Sequence, residues 1–394
     1  MSQHYFLVLA LLLATMHRAT LAADPPAIKP SFLYVATYSP RQGEGLFVAP
    51  WNPQRGEVGA LRATGGLQTT ATLVVHPRGG RLYATTLLPD AKGQPGGAIA
   101  AFSIDPRNGD LKEIDRRASG GTGPCYLAID GDGRCLVVAN CGTASVACLQ
   151  LKPDGRFGDS ATVIQHTGTS QNSEGKPQAH SILVAPGNRF AIAADLGLDR
   201  VFSYQLDGTL ARLSANDPPF VAVPRGAGPR HVAFHPTGRW AYSVNELNNT
   251  VSTFSFESKT GVLQSTENIT TLPDDFRGES YAAEIQVHPT GRFLYASNRG
   301  HDSLAKYAVD PPTGQLRRVG HTLTGGKFPR HFTIDPAGQF LIVANQKSDQ
   351  LVLFQIDPDS GDLKHHGMPV AIPQPVCVKI LDPLKLQDQV SPVP

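Results

Sequence analysis

Between Gly228 and Thr250 apolar and polar positions alternate in two short runs, Val232 and Phe234, then Trp240, Tyr242 and Val244, separated by His235-Pro236-Thr237-Gly238. Alternation with period two is the pattern of a strand, and a Pro followed closely by Gly supplies the fixed φ and permissive backbone of a reversal. The stretch predicts a β-hairpin. With the tight turn at one end, Arg230 and His231, which lead in, and Asn245 and Glu246, which lead out, gather at the other.

The same hairpin recurs. HPRGGRLYATT from His76, DGDGRCLVVAN from Asp130, APGNRFAIAAD from Ala185, HPTGRFLYASN from His288 and DPAGQFLIVAN from Asp335 follow one another about every 47–55 residues. A further alternating run follows each, for example Val251 to Phe256 or Leu351 to Ile356, then a Gly-Xaa-Leu turn and a weaker fourth strand. Four strands at this period is the pattern of a propeller blade. Ser31 to Tyr38 reads as a second strand without a first, and Pro375 to Pro383 as a first without a second. Joined, they complete one more blade. The expected fold is therefore all-β, a seven-bladed β-propeller of four-stranded blades over 24–394, its ring closed by strands from both termini so that no sheet edge is left open.

In a propeller the first strand of each blade lines the central channel, so aligning the blades on the turn proline or its equivalent predicts what each offers to the mouth. Six residues before it stand Ala71, Cys125, His180, Arg230, Ala283, Arg330 and Cys377; one later, Thr72, Tyr126, Ser181, His231, Glu284, His331 and Val378. The residues leaving the second strand at the same mouth are Tyr38, Leu87, Cys141, Leu196, Glu246, Arg299 and Gln346. Residues that depart from the repeat average cluster on four consecutive blades: His180, Arg230, His231, Glu246, Glu284, Arg299, Arg330 and His331. Arginine forks suit phosphate or carboxylate, and His or Glu suits proton transfer, so an anionic small molecule is the expected ligand. Structural roles compete with this. Arg230 and Arg330 share Pro-Arg-His and could brace blades, His231 and His331 could hydrogen-bond between blades, and His76, His235 and His288 read as turn-stabilising. Asn140, Asn245, Asn298 and Asn345 read as side-chain caps of the backbone.

Charged residues make up only 17% of the 394, with 39 Gly and 32 Pro, which suits short strands and turns. A formal net charge of +2 and the lack of any Lys/Arg run argue against nucleic acid. Tyr5 to Ala14 is an apolar run too short to span a bilayer, followed by Thr20-Leu21-Ala22-Ala23, so residues 1–23 are expected to be a cleaved export signal and the protein periplasmic or secreted. No later segment is apolar enough to span a membrane, and a monomer is expected. Cys125, Cys135, Cys141 and Cys148 fall within one repeat at a spacing that fits no usual zinc pattern; disulfides among them and packed thiols both remain open, and Cys377 reads as packed.

GAGPRHVAFHPTGRWAYSVNELNNTV, AAEIQVHPTGRFLYASNRGHDSLAKY and PRHFTIDPAGQFLIVANQKS closely resemble the lactonase family of seven-bladed propellers, which includes propeller-type 6-phosphogluconolactonases and 3-carboxy-cis,cis-muconate lactonizing enzymes. The resemblance spans nearly the whole chain after the leader. It implies opening or closing of a lactone ring without metal or organic cofactor, at a site resembling His180, Arg230, Glu246 and Arg299, with Arg330 an alternative to the last. A sugar-acid lactone hydrolase is the expected function. On this reading Glu284 or Glu246 with His180 moves protons, while Arg230 with Arg299 or Arg330, flanked by His231 and His331, holds the anion. The alternatives are a carboxymuconate-type cycloisomerase and a non-catalytic exported scaffold, since surface-layer propellers carry similar blades.

Overall fold

The computed structural model describes residues 31–89, 95–169 and 175–381. The expected export signal lies outside the described residues. Six consecutive blades are four-stranded antiparallel sheets in chain order. Their innermost strands are Leu73–Val75, Pro124–Ile129, Ala179–Val184, Pro229–Phe234, Tyr281–Val287 and Pro329–Ile334, which define blades 1 to 6. Blade 7 takes its inner strand, Pro375–Leu381, from the C-terminal part of the chain and its second, Ser31–Thr37, from the N-terminal part. The two strands pair, as the sequence predicts, with Phe32 opposite Leu381 and Ala36 opposite Cys377. Its outermost strand is broken into Glu57–Val58 and Arg62–Ala63, both paired with Leu46–Asn52. Among the described residues no helix is long and apolar enough to cross a membrane.

Strand alternation puts one apolar face of each blade against the next, so the core is a set of inter-blade layers rather than one centre. Between blades 4 and 5, for example, Tyr242, Val244 and Val251 pack on Ala282, Ile285 and Leu294. Polar clips hold neighbours in register. Tyr34, Tyr83, Tyr242 and Tyr295, equivalent residues of the second strands, donate hydroxyls to the carbonyls of Gly109, Gly155, Gly314 and Gly361 in the following blade, at 2.6–2.9 Å. Gly314 is confined to glycine on two counts: its φ is +69°, and a Cβ there would lie 2.4 Å from the Trp240 ring. The turn histidines do more than stabilise their turns. His76, His235 and His288 reach the carbonyls of Gly133, Gly291 and Gly338, each in the next blade, at 3.2, 3.0 and 2.9 Å.

Candidate active site

A one-residue bulge near the start of the inner strand determines what faces the mouth. Pro229 pairs with Asn245 and His231 with Val244, so Arg230 is left out of the ladder. Cys125, His180 and Arg330 are skipped in the same way in blades 2, 3 and 6. A bulge re-aims its extra side chain. His180, Arg230, His231, Arg330 and His331 line one cavity with Tyr126, Cys125 and Lys379; its volume is about 20 Å³, room for roughly one water.

Two arginines share one carboxylate. Arg230 Nε lies 2.7 Å from Glu246 Oε2, an ion pair without hydrogen-bond alignment, and Arg299 Nη2 lies 2.9 Å from the same oxygen. Arg230 also donates to the Ala283 carbonyl at 2.7 Å, and Arg299 to that of Tyr281 at 3.1 Å. Burial would raise the Glu246 carboxyl, but Arg230, Arg299 and Arg330 outweigh it and hold it below the ordinary value. Burial and neighbouring Arg230 bring Arg299 down to about 10. Arg330 differs: it has no carboxylate within ion-pair distance among the described residues, and contacts Tyr38 through a 3.5 Å bond to its hydroxyl and a stack 5.3 Å above its ring.

The histidines are neutral bases in a positive field. His180 is buried, and its Nδ1 has no hydrogen-bond partner among the described residues. Burial, then Arg230, His231 and Arg330, push it well below the usual imidazole range. His231 is lowered for the same reasons, burial first and then Arg230 and Arg330. Because Arg230 Nη1 can only donate, its 3.1 Å contact leaves His231 Nε2 as the acceptor. The proton is then on Nδ1, which donates to Glu284 Oε2 at 3.0 Å. His331 Nε2 lies 3.4 Å from the same oxygen, while its Nδ1 accepts from Val378 N. Burial takes His331 down to about 3, opposed by Glu284.

The eight predicted residues thus come together, but not on one surface. His180, Arg230, Arg330, His231 and His331 face the cavity, whereas Glu246 and Arg299 back Arg230, and Glu284 is 3% exposed between two histidines. Arg230 and His231 do bridge blades, through Ala283 and Glu284. Asn140, Asn298 and Asn345 cap backbone carbonyls as expected, of Ser119, Thr271 and Thr324. Asn245 instead donates to the hydroxyls of Thr250 and Ser252. All five cysteines are free thiols.

One alignment needs correction. In blade 7 the register break falls at Val376, so Val376 and Cys377, not Cys377 and Val378, are equivalent to Arg230 and His231. An extra residue separates that strand from Pro383, which displaced the turn-based alignment. Corrected, Lys379 stands level with Ala233, facing the channel where the other blades offer Val74, Ala128, Leu183, Gln286 and Thr333. Sequence reasoning missed this lysine through that slip. Among the described residues, Arg230, Arg330 and Lys379 at the channel and Arg299 behind Arg230 then stand against the carboxyls of Glu246 and Glu284.

The geometry of Glu284 gives a test of its role. Glu284→Ala strands the His231 Nδ1–H in the interior, at about 1–3 kcal/mol, whereas Glu284→Gln keeps an acceptor there. The Gln variant is expected to melt close to the parent and turn over within about tenfold of it; a drop of about 10²–10⁴ in kcat with unchanged melting would make Glu284 the base instead.

Residues 32–380 match the family model described as lactonase, 7-bladed beta-propeller. The 6-phosphogluconolactonase of Bacillus subtilis is 31% identical over 350 residues, covering 88% of this chain and 97% of that one. A 6-phosphogluconolactonase of Formosa agariphila is 32% identical over 308 residues, 76% of this chain and 85% of its own. Among solved structures, the periplasmic gluconolactonase of Pseudomonas aeruginosa superimposes with a TM-score of 0.79 at 32% identity, over 90% of this chain and 99% of that one.

Proposed function

We propose, from the premise that this chain belongs to the lactonase family of seven-bladed β-propellers, that its mouth hydrolyses a sugar-acid lactone bearing an anionic group. Lactonase activity on a sugar-acid lactone is what the named relatives support. The observation that carries the anionic substrate class is the unshared charge of Arg330: Arg230 and Arg299 already hold Glu246, so Arg330 is the fork left to accept a phosphate or carboxylate. The cation surplus of the channel favours the same class over an uncharged sugar lactone.

In this reading the neutral His180 imidazole takes a proton from water as its oxygen adds to the lactone carbonyl. Arg230, held by Glu246 and the Ala283 carbonyl, stabilises the oxyanion. When the tetrahedral centre collapses, the C–O bond to the ring oxygen breaks and His180 returns the proton to that oxygen, leaving the open hydroxy acid. Glu246 keeps two guanidinium groups in place, and Glu284 fixes the tautomer of His231.

Turnover of the full-length protein on 6-phosphogluconolactone, gluconolactone and carboxymuconolactone tests this. The phosphorylated lactone is expected to have the highest kcat/KM. Arg330→Ala should raise KM for it by about ten- to a hundredfold, the worth of one charge-assisted contact, and change KM for gluconolactone little. An equal loss on both lactones would reduce Arg330 to a brace on Tyr38. We also read residues 1–23 as an export signal, a location supported by the name of the Pseudomonas neighbour; N-terminal sequencing of protein from its own host, expected to begin near Ala23 or Asp24, checks it.

A further inference from the structure

Beside the charged cavity lies a second pocket of about 180 Å³ that shares Ala71 and Cys125 with it and is bounded by Tyr38, Thr86, Leu87 and Cys141. Two thiols therefore face the same small space at the mouth. Cys125 is the bulge residue of blade 2, lying between the Pro124–Asn140 and Tyr126–Ala139 pairs. Cys141 sits opposite residue 123, its N–H bonded to the Gly123 carbonyl at 2.9 Å. Cys141, the first residue beyond Cys135–Asn140, thus lies diagonal to Cys125 across the strand pair, and each alters the other's proton affinity.

Their environments differ in a useful direction. Cys125 points its thiol at the His180 carbonyl, 3.2 Å away, and at those of Ala139 and Ala179 at 3.6 and 3.7 Å. Cys141 lies nearer the open side, with Gly123 O at 3.2 Å. Cys125, joined by Arg330 and Arg230, draws the Cys141 thiol down to about 7 despite burial, while the Cys125 thiol is pushed up. A second diagonal pair, Cys135 and Cys148, is fully buried in the same blade and has no such access.

We propose that Cys125 and Cys141 form a modifiable thiol pair, closed to a disulfide by a small-molecule disulfide, and that closure slows the reaction at the mouth by detaching Cys125 from the strand that carries His180. The Cys141 thiolate attacks one sulfur of the oxidant, forming a mixed disulfide and expelling the first thiolate with the electron pair of the broken S–S bond. Cys125 then loses its proton and attacks the Cys141 sulfur, expelling the second. Two protein thiols are oxidised, one external disulfide is reduced to two thiols, and the two protons end on those thiols. The new S–S bond removes the S–H donor from the His180 carbonyl and draws the Cys125 sulfur toward Cys141. Misplacement of order 1 Å at a reacting group costs on the order of 10²-fold.

The test treats the full chain with glutathione disulfide and reads two things separately. Peptide mapping by mass should find one Cys125–Cys141 disulfide, with Cys135 and Cys148 still reduced, and Cys125→Ser should instead trap a glutathione adduct on Cys141. Turnover of the oxidised wild type, divided by its own reduced value, should fall about tenfold or more and return with dithiothreitol; Cys141→Ser should keep a ratio near one. The turnover arm rests on the lactonase reading, whereas the mapping arm and the His180 imidazole NMR signal, expected to shift on oxidation, do not. Four reduced mouth and core thiols after treatment would overturn the proposal, as would a complete disulfide that leaves both the His180 signal and the turnover ratio unchanged.

Discussion

A chain ending before Pro375 should not give a cooperative melt. Blade 7 takes its inner strand from Pro375–Leu381, which pairs with Phe32 to Thr37 and contributes to both flanking layers: Val376 and Leu381 to the packing against blade 1, Val378 to that against blade 6. Burying Val376, Val378 and Leu381 is worth about 1.5–3 kcal/mol each. Their sum is comparable with the whole stability of a typical domain, about 5–15 kcal/mol. The truncation also exposes one sheet edge, that of Ser31–Thr37, and part of the apolar face of blade 6 that packed on the lost strand. Circular dichroism on heating and limited proteolysis check this. A melting temperature close to that of the full chain would mean that the ring does not depend on this strand for closure.

Much of this architecture is written locally and so could be read from the sequence. The turn and flanking alternation that mark Val232, Phe234, Trp240 and Tyr242 act over a dozen residues, and the recurring hairpins formed where that pattern put them. The closing blade could be read because its two incomplete halves were complementary. What could not be read is whatever depends on residues about 50 positions apart. That His235 caps its own turn is local, but that the same ring bonds Gly291 in the next blade is not. Likewise the column position of Glu284 marked it as unusual, but only the fold reveals that two histidines, at positions 231 and 331, converge on one of its oxygens.

The bulge explains both the success and the error of the column alignment. In Pro229-Arg230 and Pro329-Arg330 the skipped residue and the turn are separated by the same length, and the columns hold. In blade 7 the turn-side spacing is one residue longer, so aligning on the turn shifted every inner-strand assignment and placed Lys379 on the wrong face. A one-residue slip inverts inward and outward in a strand. Anchoring on Pro375 instead of Pro383 would have found the lysine. That Arg230 and Arg299 meet on Glu246 while Arg330 turns to Tyr38 is a matter of side-chain reach, which no column could separate.

Replacing the buried imidazole tests the assignment of the base most directly. His180→Asn keeps a polar atom near the orphaned Nδ1 but cannot accept a proton at neutral pH, so kcat is expected to fall by about 10²–10⁴ with KM little changed. The active form of His180 is the neutral one, and burial with Arg230, His231 and Arg330 holds its pKa well below 6.5. As pH falls from 7, the free enzyme therefore keeps its base, and kcat/KM should decline only well below 6.5. An uncharged lactone is the right probe for that limb, because a phosphate titrates near pH 6 itself. The acid range also suppresses spontaneous hydroxide-driven ring opening. A bound anion at Arg330 offsets part of the positive field acting on His180, so in the complex the imidazole becomes easier to protonate. The acid limb of kcat on the phosphorylated lactone should accordingly lie at higher pH than the limb of kcat/KM on gluconolactone, and Arg330→Ala should bring the two together. A kcat/KM limb centred at or above 6.5 would mean that the surroundings of His180 do not hold it neutral, and a His180→Asn variant with near-parental kcat would transfer the role of base to a carboxyl, with Glu246 next in line because it is 18% exposed at the mouth.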